Sequence, residues 1–206
     1  HYQPKVNMRT GKVVGAEALI RWQHPDRGVL APTLFLPLVE NHALAVELDE
    51  WVMHTALQQM QTWLDGGLEL PVSINVGARL LQQHDFVQRI QTILAAHPGV
   101  DPRNVELEVL ETSALLDIDR VSWSMQECRD FGVKFALDDF GTGYSSLAYV
   151  KRLPVTQLKI DQSFVRDMLV DKDDMAILRA VMGLATAFQH EVIAEGVETA
   201  EQGVAL

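Results

Sequence analysis

The sequence lacks the features that would cross-link the chain, hold it in a membrane or bind it to a polyanion. Cys128 is its single cysteine, so no disulfide can form within the chain, and a reducing compartment such as the cytoplasm is expected. No apolar run approaches the roughly 20 residues of a membrane-spanning helix, so we expect no membrane contact by this segment. The net charge of -11 argues against a nucleic acid polymer as a partner, because binding phosphates needs basic patches.

The sequence does contain an alternation of short β-rich runs with longer helical patterns. The predicted strands are His1–Met8, Val13–Trp22, Val72–Val76, Val105–Leu110, Lys134–Asp139, Gln157–Ile160 and Glu191–Val197. Apolar residues recur at helical spacing in Asp49–Leu64, Asp85–Ala96, Asp119–Phe131 and Asp173–Phe188. Strands that alternate with helices are typical of an α/β protein with a mainly parallel sheet. Cys128 follows the apolar rhythm of its predicted helix, which favours a core position over a nucleophile.

The first two strands are expected to be antiparallel. Only residues 8–12 lie between them, which is too short for a parallel crossover, whereas the later strands have room for crossover helices. A complete (β/α)₈ barrel of the TIM type usually needs about 250 residues, and this chain has 206. We therefore expect a single domain over residues 1–206, a barrel whose first strand is antiparallel and whose last strand is missing from this chain.

Polar residues interrupt almost every predicted strand, although strands of a buried parallel sheet should be continuously apolar. They are Glu17, Asn75, Glu106, Glu108, Asp138, Asp139, Lys159 and Glu195. Any single carboxylate among them could belong to a structural ion pair or face outward. As a set, those near the carboxyl ends of the strands would meet at the mouth of a barrel, where active sites lie.

Carboxylates gathered at one mouth would repel one another or be forced to protonate unless cations neutralise them. Oxygen ligands suit hard divalent ions such as Mg²⁺ and Mn²⁺, and the adjacent Asp138 and Asp139 could serve two ions. Two such ions are typical of phosphoryl hydrolysis. Lys159 is the one strand lysine that we predict to point into the mouth. It could act on the attacking water or the transition state, or it could simply pair with the aspartates.

A series of short motifs runs along the chain in a fixed order. Glu17-Ala18-Leu19 is followed by Ile20-Arg21-Trp22. The supporting motifs are Tyr2-Gln3-Pro4, Ser73-Ile74-Asn75-Val76, Glu108-Val109-Leu110-Glu111, the run from Asp138 to Leu147, Leu158-Lys159-Ile160-Asp161 and the run from Ala194 to Thr199. The tripeptide alone would recur by chance, but the ordered set covers essentially the whole chain and resembles the EAL family.

The resemblance implies a phosphodiesterase that hydrolyses cyclic di-GMP to linear pGpG with two divalent cations, Mg²⁺ or Mn²⁺. The metal ligands that it implies are Glu17, Asn75, Glu108, Asp138, Asp139 and Glu195. The catalytic residues that it implies are Lys159, Asp139 and Glu195. It also implies that Gln3 and Arg21 bind substrate phosphate or guanine, with Leu19 packing nearby. A guanidinium group suits a phosphate by its own chemistry.

The resemblance also implies a loop, Gly141–Ser146, that couples the metal site to the surface of a homodimer. Glu111 and Glu198 are expected to anchor the loop residues Gly141, Thr142 and Gly143. Leu110 stands where the family usually has Thr, and we expect this to tune the anchor without abolishing catalysis. Regulatory domains are expected elsewhere in the parent chain, which could itself be anchored to a membrane.

Two other functions fit part of the same pattern. Some relatives lose metal ligands and become cyclic di-GMP receptors or protein-interaction modules, but the complete ligand set here favours an enzyme. An unrelated metal-dependent barrel hydrolase would keep the carboxylates. It would not need Gln3, Arg21 or the Gly141–Ser146 loop.

Overall fold

The computed structural model describes residues 1–142 and 147–206 of the chain. Gly143 and the rest of the predicted loop after Thr142 lie outside the described residues. The chain divides into two compact units, residues 1–108 with 127–134 and residues 109–126 with 135–206. The single domain over residues 1–206 stays a prediction. None of the helices in the described part of the chain combines the length and the apolar character needed to span a bilayer.

The first unit is built around a sheet with helices packed on one face. Its strands are β1 (Tyr2–Asn7), β2 (Lys12–Ala18), β3 (Trp22–His24), β4 (Gly28–Leu30), β5 (Val72–Val76) and β6 (Val105–Leu110), the last belonging to this unit as far as Glu108. Its helices are α1 (Leu36–Val39), α2 (Leu44–Asp65), α3 (Ala78–Leu81) and α4 (Phe86–Ala95), with 3-10 turns at Pro32–Leu34 and Pro102–Asn104. The main sheet runs in the order β1-β2-β5-β6, and β3 and β4 form a separate hairpin.

Side-chain alternation along these strands separates an apolar face from a polar one. β1 pairs antiparallel with β2, so the predicted direction of the first strand is confirmed, and β2 pairs parallel with β5. Ala16, Ala18, Val72 and Ile74 are buried on the face against which α2 packs. The opposite face carries Gln3, Lys5, Glu17, Ser73, Asn75, Glu106 and Glu108. The first unit therefore collects its polar strand residues on one side of its sheet.

The second unit contains the remaining strands and helices. Its elements are α5 (Glu111–Leu115), α6 (Ile118–Asp130), β7 (Lys134–Phe140), α7 (Leu147–Arg152), β8 (Gln157–Ile160), α8 (Gln162–Asp167), α9 (Lys172–Phe188), β9 (Glu191–Ala194) and α10 (Ala200–Ala205), with α6 in this unit as far as Gln126 and β7 from Phe135. The strands β7, β8 and β9 are parallel neighbours in that order. Buried aliphatic side chains of β8 and α9, among them Leu158, Ile160 and Leu178, contribute to its core.

Two predicted strands end several residues earlier in the structure than the sequence suggested. The strand expected to reach Trp22 stops at Ala18, because Trp22 pairs instead with Leu30 in the β3–β4 hairpin. The last strand stops at Ala194, two residues before Gly196, whose φ of +70° breaks the extended conformation. The core position of Cys128 is confirmed, since its side chain is completely buried and burial raises the pKa of the thiol to about 12.

Asp49 of α2 fixes the backbone immediately after β5. Its Oδ2 accepts a hydrogen bond from the backbone N–H of Gly77 at 3.1 Å. A side chain at position 77 would be crowded, because a Cβ there would lie 2.7 Å from the same oxygen. Burial raises the pKa of Asp49 to about 7, and the nearby Glu50 adds to the shift, although the bond from Gly77 opposes it. Near neutral pH the fold therefore holds this carboxyl partly protonated.

We predict that Asp49→Asn stabilises the protein more at pH 8.5 than at pH 5.5. The pKa of Asp49 is higher in the folded state than in the unfolded state. Its contribution to the free energy of unfolding is therefore complete at low pH, below the unfolded pKa, and is lost as pH rises through about 7. Asparagine keeps an acceptor for Gly77 and never ionises. One pKa unit corresponds to about 1.4 kcal/mol, and partial exposure reduces the effect. We therefore expect the stabilisation of Asp49→Asn over wild type to be about 1–2 kcal/mol larger at pH 8.5 than at pH 5.5.

Chemical denaturation at both pH values measures this gain as the free energy of unfolding. Glu47→Gln is the matched control, because Glu47 is exposed in the first turn of the same helix. A stability difference between Asp49→Asn and wild type that is the same at both pH values would contradict the assignment.

Candidate functional site

Three carboxylates converge at the ends of β7 and β9 in the second unit. Asp138 and Asp139 are near the end of β7, and Glu195 directly follows β9. One ligand oxygen from each residue lies within 4.8 Å of the others. Asp138 is buried, and the other two are half-buried. This acidic triad brings together three residues that the sequence analysis named as metal ligands.

A break in the strand geometry allows consecutive aspartates to reach the same place. Neighbouring residues of a regular strand point to opposite faces. Here the β7–β8 register shifts between Leu137 and Phe140, and Asp139 has a φ of +53°. Thr142 supports the turn, since its Oγ1 donates a hydrogen bond to the carbonyl oxygen of Asp139 at 2.9 Å. Backbone strain of this kind clusters at functional sites, where surrounding contacts maintain it.

Lys159 lies among the acids on the middle strand, β8. Its side chain is 1% exposed, and its Nζ is 2.7 Å from Oε1 of Glu195 and 3.1 Å from Oδ1 of Asp138. An isolated ammonium group would not tolerate such burial, so these two ion pairs explain how a lysine can occupy the strand. A structural ion pair and a role beside the attacking water are both compatible with this position, because the ion pairs also place the ammonium group beside the predicted ligand oxygens.

The charge balance of the triad remains negative in spite of Lys159. The pKa of Asp139 is raised to about 6, first by burial and then by the charges of Asp138, Asp161 and Glu195, which together outweigh the lowering by Lys159. Asp161 was quoted in a sequence motif without a role. Its charge adds to the raised pKa of Asp139, while its Oδ1 accepts a hydrogen bond from the backbone N–H of Ser163 at 2.9 Å. Its position directly after β8, matching that of Glu195 after β9, is the signal that could have drawn attention to it.

We predict that Asp139→Gly is more stable than Asp139→Ala by about 1 kcal/mol, because a left-handed backbone penalises a Cβ by roughly 1–2 kcal/mol. Both variants lose the same carboxylate, so their difference isolates the backbone. Urea denaturation measures it. The control pair is Asp138→Gly and Asp138→Ala, for which alanine should be the more stable because this strand residue has no positive φ. Equal stabilities for the Asp139 pair would exclude strain at this position.

Glu111 meets the start of the predicted loop. It is buried, and its Oε2 accepts a long hydrogen bond of 3.4 Å from the backbone N–H of Gly141, while its Oε1 has no partner among the described residues. Glu198 is exposed, and its backbone N–H donates to Oε1 of Gln202. The contact between Glu111 and Gly141 is compatible with the expected anchoring. The roles of Glu111, Glu198 and Gly143 stay predictions.

The first unit brings together other residues that were singled out in the sequence. Nδ2 of Asn75 donates to Oε1 of Glu17 at 2.9 Å. Gln3 is the cross-strand partner of Glu17 and is exposed. Leu19 is half-buried, and Nη1 of Arg21 donates to the carbonyl oxygen of Ile20 at 2.8 Å. The proposed substrate residues Gln3, Leu19 and Arg21 thus come from β1 and from the segment that follows β2.

Glu108, the remaining expected ligand, is held by a lysine that the sequence analysis overlooked. Nζ of Lys5 lies 2.9 Å from Oε1 of Glu108 and 2.8 Å from Oε1 of Glu106. The sequence does indicate which face Lys5 occupies, because Lys5 and Gln3 are two residues apart on one strand and their side chains therefore lie on the same face.

The acidic triad suits a hard divalent cation on its own chemistry. Its donors are all carboxylate oxygens, which Mg²⁺ and Mn²⁺ prefer over nitrogen or sulfur. Three carboxylates surround one ammonium group, and Asp138 and Glu195 add to the rise that burial causes in the pKa of Asp139. A divalent cation would relieve this repulsion, so the residues present fit such an ion.

Comparison with known proteins finds close relatives of the entire chain. A family model described as EAL domain matches residues 1–206. MucR of Pseudomonas aeruginosa, named a bifunctional diguanylate cyclase/cyclic di-GMP phosphodiesterase, is 41% identical over 203 residues, which are 98% of this chain and 30% of that protein. A second protein of this organism, named a cyclic di-GMP phosphodiesterase, is 37% identical over 198 residues, 96% of this chain and 34% of its own length. The chain therefore spans about a third of these curated relatives.

A solved structure supports the same relationship. The structure described as PaMucR phosphodiesterase in complex with c-di-GMP matches with a TM-score of 0.95 and 41% identity, covering 100% of this chain and 83% of that one. This likeness confirms the predicted TIM-type α/β barrel fold with an antiparallel first strand.

Proposed function

The chain belongs to the EAL domain family, and from that premise we propose that it is a metal-dependent phosphodiesterase that hydrolyses cyclic di-GMP to linear pGpG. The observation that supports this most directly is the acidic triad of Asp138, Asp139 and Glu195 with Lys159 paired to two of its members. Relatives named cyclic di-GMP phosphodiesterases indicate the substrate. A receptor without catalysis would not need this complete set of charged groups.

Two divalent cations, Mg²⁺ or Mn²⁺, are proposed as cofactors. The acidic triad would hold one of them through its carboxylate oxygens. Glu17, Asn75 and Glu108 stay predicted ligands, and the hydrogen bond between Asn75 and Glu17 is compatible with a role for the amide oxygen of Asn75. Bound divalent cations lower the pKa of water and neutralise charge on a phosphoryl group.

The protein's own residues would orient the reactants. Hydrolysis adds the oxygen of one water to a phosphorus atom of the cyclic dinucleotide, while the bond from that phosphorus to a ribose 3′ oxygen breaks. A proton goes to the 3′ oxygen, and the product is a linear dinucleotide with a 5′ phosphate. Lys159 is fixed by Asp138 and Glu195, so its ammonium group can donate to the attacking water or to a phosphoryl oxygen as negative charge develops. Asp139 and Glu195 would accept hydrogen bonds from the water.

Substrate recognition is assigned to Gln3, Leu19 and Arg21. The guanidinium group of Arg21 can bind a phosphate through two donors, and the amide of Gln3 can bind a phosphate or a guanine edge. Leu19 would pack against the substrate nearby. Glu111 and Glu198 would hold the loop that begins with Gly141 and Thr142 and continues through Gly143.

The proposal also includes the cellular location, the assembly and the regulation of the domain. We assign it to the cytoplasm, where cyclic dinucleotide signals act, and we expect a homodimer whose activity responds to regulatory domains elsewhere in the parent chain. The relatives are about three times as long as the matched segment, which supports the presence of such domains.

We predict that the wild-type protein converts cyclic di-GMP to pGpG in the presence of Mg²⁺ or Mn²⁺ and that Glu17→Ala has less than about a tenth of this rate at saturating Mn²⁺, because the variant removes a ligand carboxylate. Chromatographic separation of pGpG measures the rate. Glu47→Gln, an exposed change on α2, should behave as wild type. Retention of more than a tenth of the rate by Glu17→Ala would remove Glu17 from the ligand set.

The wild-type assay also separates the competing functions. Binding of cyclic di-GMP without any product would identify a receptor. Equal hydrolysis of cyclic di-GMP and unrelated phosphodiesters would indicate a general metal-dependent hydrolase that makes no use of Gln3 and Arg21.

We further predict that Ca²⁺ inhibits turnover. Ca²⁺ prefers six to eight ligands at longer bonds of about 2.3–2.6 Å, whereas Mg²⁺ requires a compact octahedral arrangement at about 2.0–2.1 Å. A titration of Ca²⁺ into the Mg²⁺-supported reaction should reduce the rate at least tenfold, and excess Mg²⁺ should restore it. Equal rates with the two ions would rule out a compact metal geometry.

A further inference from the structure

Lys5 is a strand lysine whose side chain lies across the polar face of the first unit's sheet. It lies opposite Gly15 in the β1–β2 pair, at a point where the register shifts. Gly15 contributes no side chain, and a Cβ there would lie 3.8 Å from Cδ of Lys5 and 3.2 Å from the carbonyl oxygen of Pro71. A Cβ at position 15 would thus be crowded by the Pro71 carbonyl oxygen and would touch the lysine stem at an ordinary contact distance, and the stem itself extends toward β5 and β6.

The ammonium group of Lys5 is the centre of a polar cluster, defined here as Lys5, Ser73, Glu106 and Glu108. Its Nζ contacts Oε1 of Glu106 at 2.8 Å, Oε1 of Glu108 at 2.9 Å and the hydroxyl of Ser73. Ser73 in turn donates to Oε1 of Glu106 at 2.6 Å. The side chains of Lys5, Glu106 and Glu108 are 10%, 12% and 0% exposed.

These contacts account for two carboxylates two residues apart on one strand face. Glu106 and Glu108 would repel each other in a buried setting, and an unpaired buried carboxylate is costly. Burial alone would lower the pKa of Lys5, but Glu108 and Glu106 outweigh it and raise the pKa above its ordinary value. The lysine is thus a permanent cation that directs one oxygen of each glutamate toward itself.

We propose that Lys5 is a positioning residue for Glu108, fixing the orientation of the carboxylate that the proposed function assigns to a divalent cation. The inference rests on that proposed function. Glu106 and Ser73 have a supporting part, because they hold the ammonium group from its other sides. Residues that orient a metal ligand typically change metal affinity or activity by about 10–100-fold when they are removed.

The decisive test is the double variant Lys5→Met/Glu106→Gln. It removes one positive and one negative charge, so the formal charge of the cluster remains −1, as in the wild type. Any change in cation affinity then reports the lost hold on Glu108 rather than a changed net charge. Methionine is unbranched and apolar, and it can follow the path of the lysine stem without donating to Glu108.

Titration calorimetry with Mn²⁺ alone provides a readout that does not depend on turnover. Glu108→Gln identifies the affinity that belongs to the site of Glu108. At that site we expect the double variant to raise the Kd for Mn²⁺ at least tenfold, while circular dichroism shows a folded protein. Lys12→Met, at an exposed lysine of β2, is the matched control and should leave the Kd unchanged.

A folded double variant with the wild-type Kd would overturn the role of Lys5 while leaving the proposed function intact. A wild-type protein that binds no Mn²⁺ and releases no pGpG would overturn both. If the double variant does not fold, Ser73→Ala decides, because it removes only the hydroxyl that contacts Lys5 and Glu106. We expect it to raise the Kd at least threefold, and an unchanged Kd would overturn the assignment.

Discussion

Much of the structure depends on one electrostatic constraint: carboxylates on a buried sheet face must be neutralised. The second unit meets it with Lys159, paired to Asp138 and Glu195, and the first unit meets it with Lys5, paired to Glu106 and Glu108. Each lysine carries a long apolar stem, which is compatible with burial, and ends in a group that can contact several acids at once. A strand face that would otherwise be apolar can therefore carry charge and still belong to the folded core.

Backbone geometry adapts to the same requirement. Asp139 has a left-handed backbone within a strand, which is costly for a residue with a Cβ, and this conformation lets two consecutive aspartates join Glu195. The local irregularity of β7 is thus explained by the positions that its two aspartates must reach.

The sequence predicted the regular parts of this arrangement because they follow from short-range patterns. Alternating strands and helices indicated the fold class, and the short link after β1 required an antiparallel neighbour. The face shared by Glu17 and Asn75 could also be derived from strand parity. The common orientation of Asp138 and Asp139 could not, because regular alternation would separate them and only a register shift unites them. Strand alternation places Lys5 on the face of Gln3, but its contacts could not be predicted because its partners lie 68 to 103 residues further along the chain and no local pattern reports such contacts.

A lysine side chain and an exchangeable cation neutralise buried carboxylates in different ways. The ammonium group is covalently part of the fold, so it offsets buried carboxylates whether or not a metal is bound. A divalent cation carries twice the charge and leaves when its concentration falls. The acidic triad keeps excess negative charge despite Lys159, and this charge together with burial, the larger cause, raises the pKa of Asp139 to about 6. On the proposed function, the two lysines would offset part of the buried negative charge at all times, and the charge that remains on the acidic triad would attract the cation.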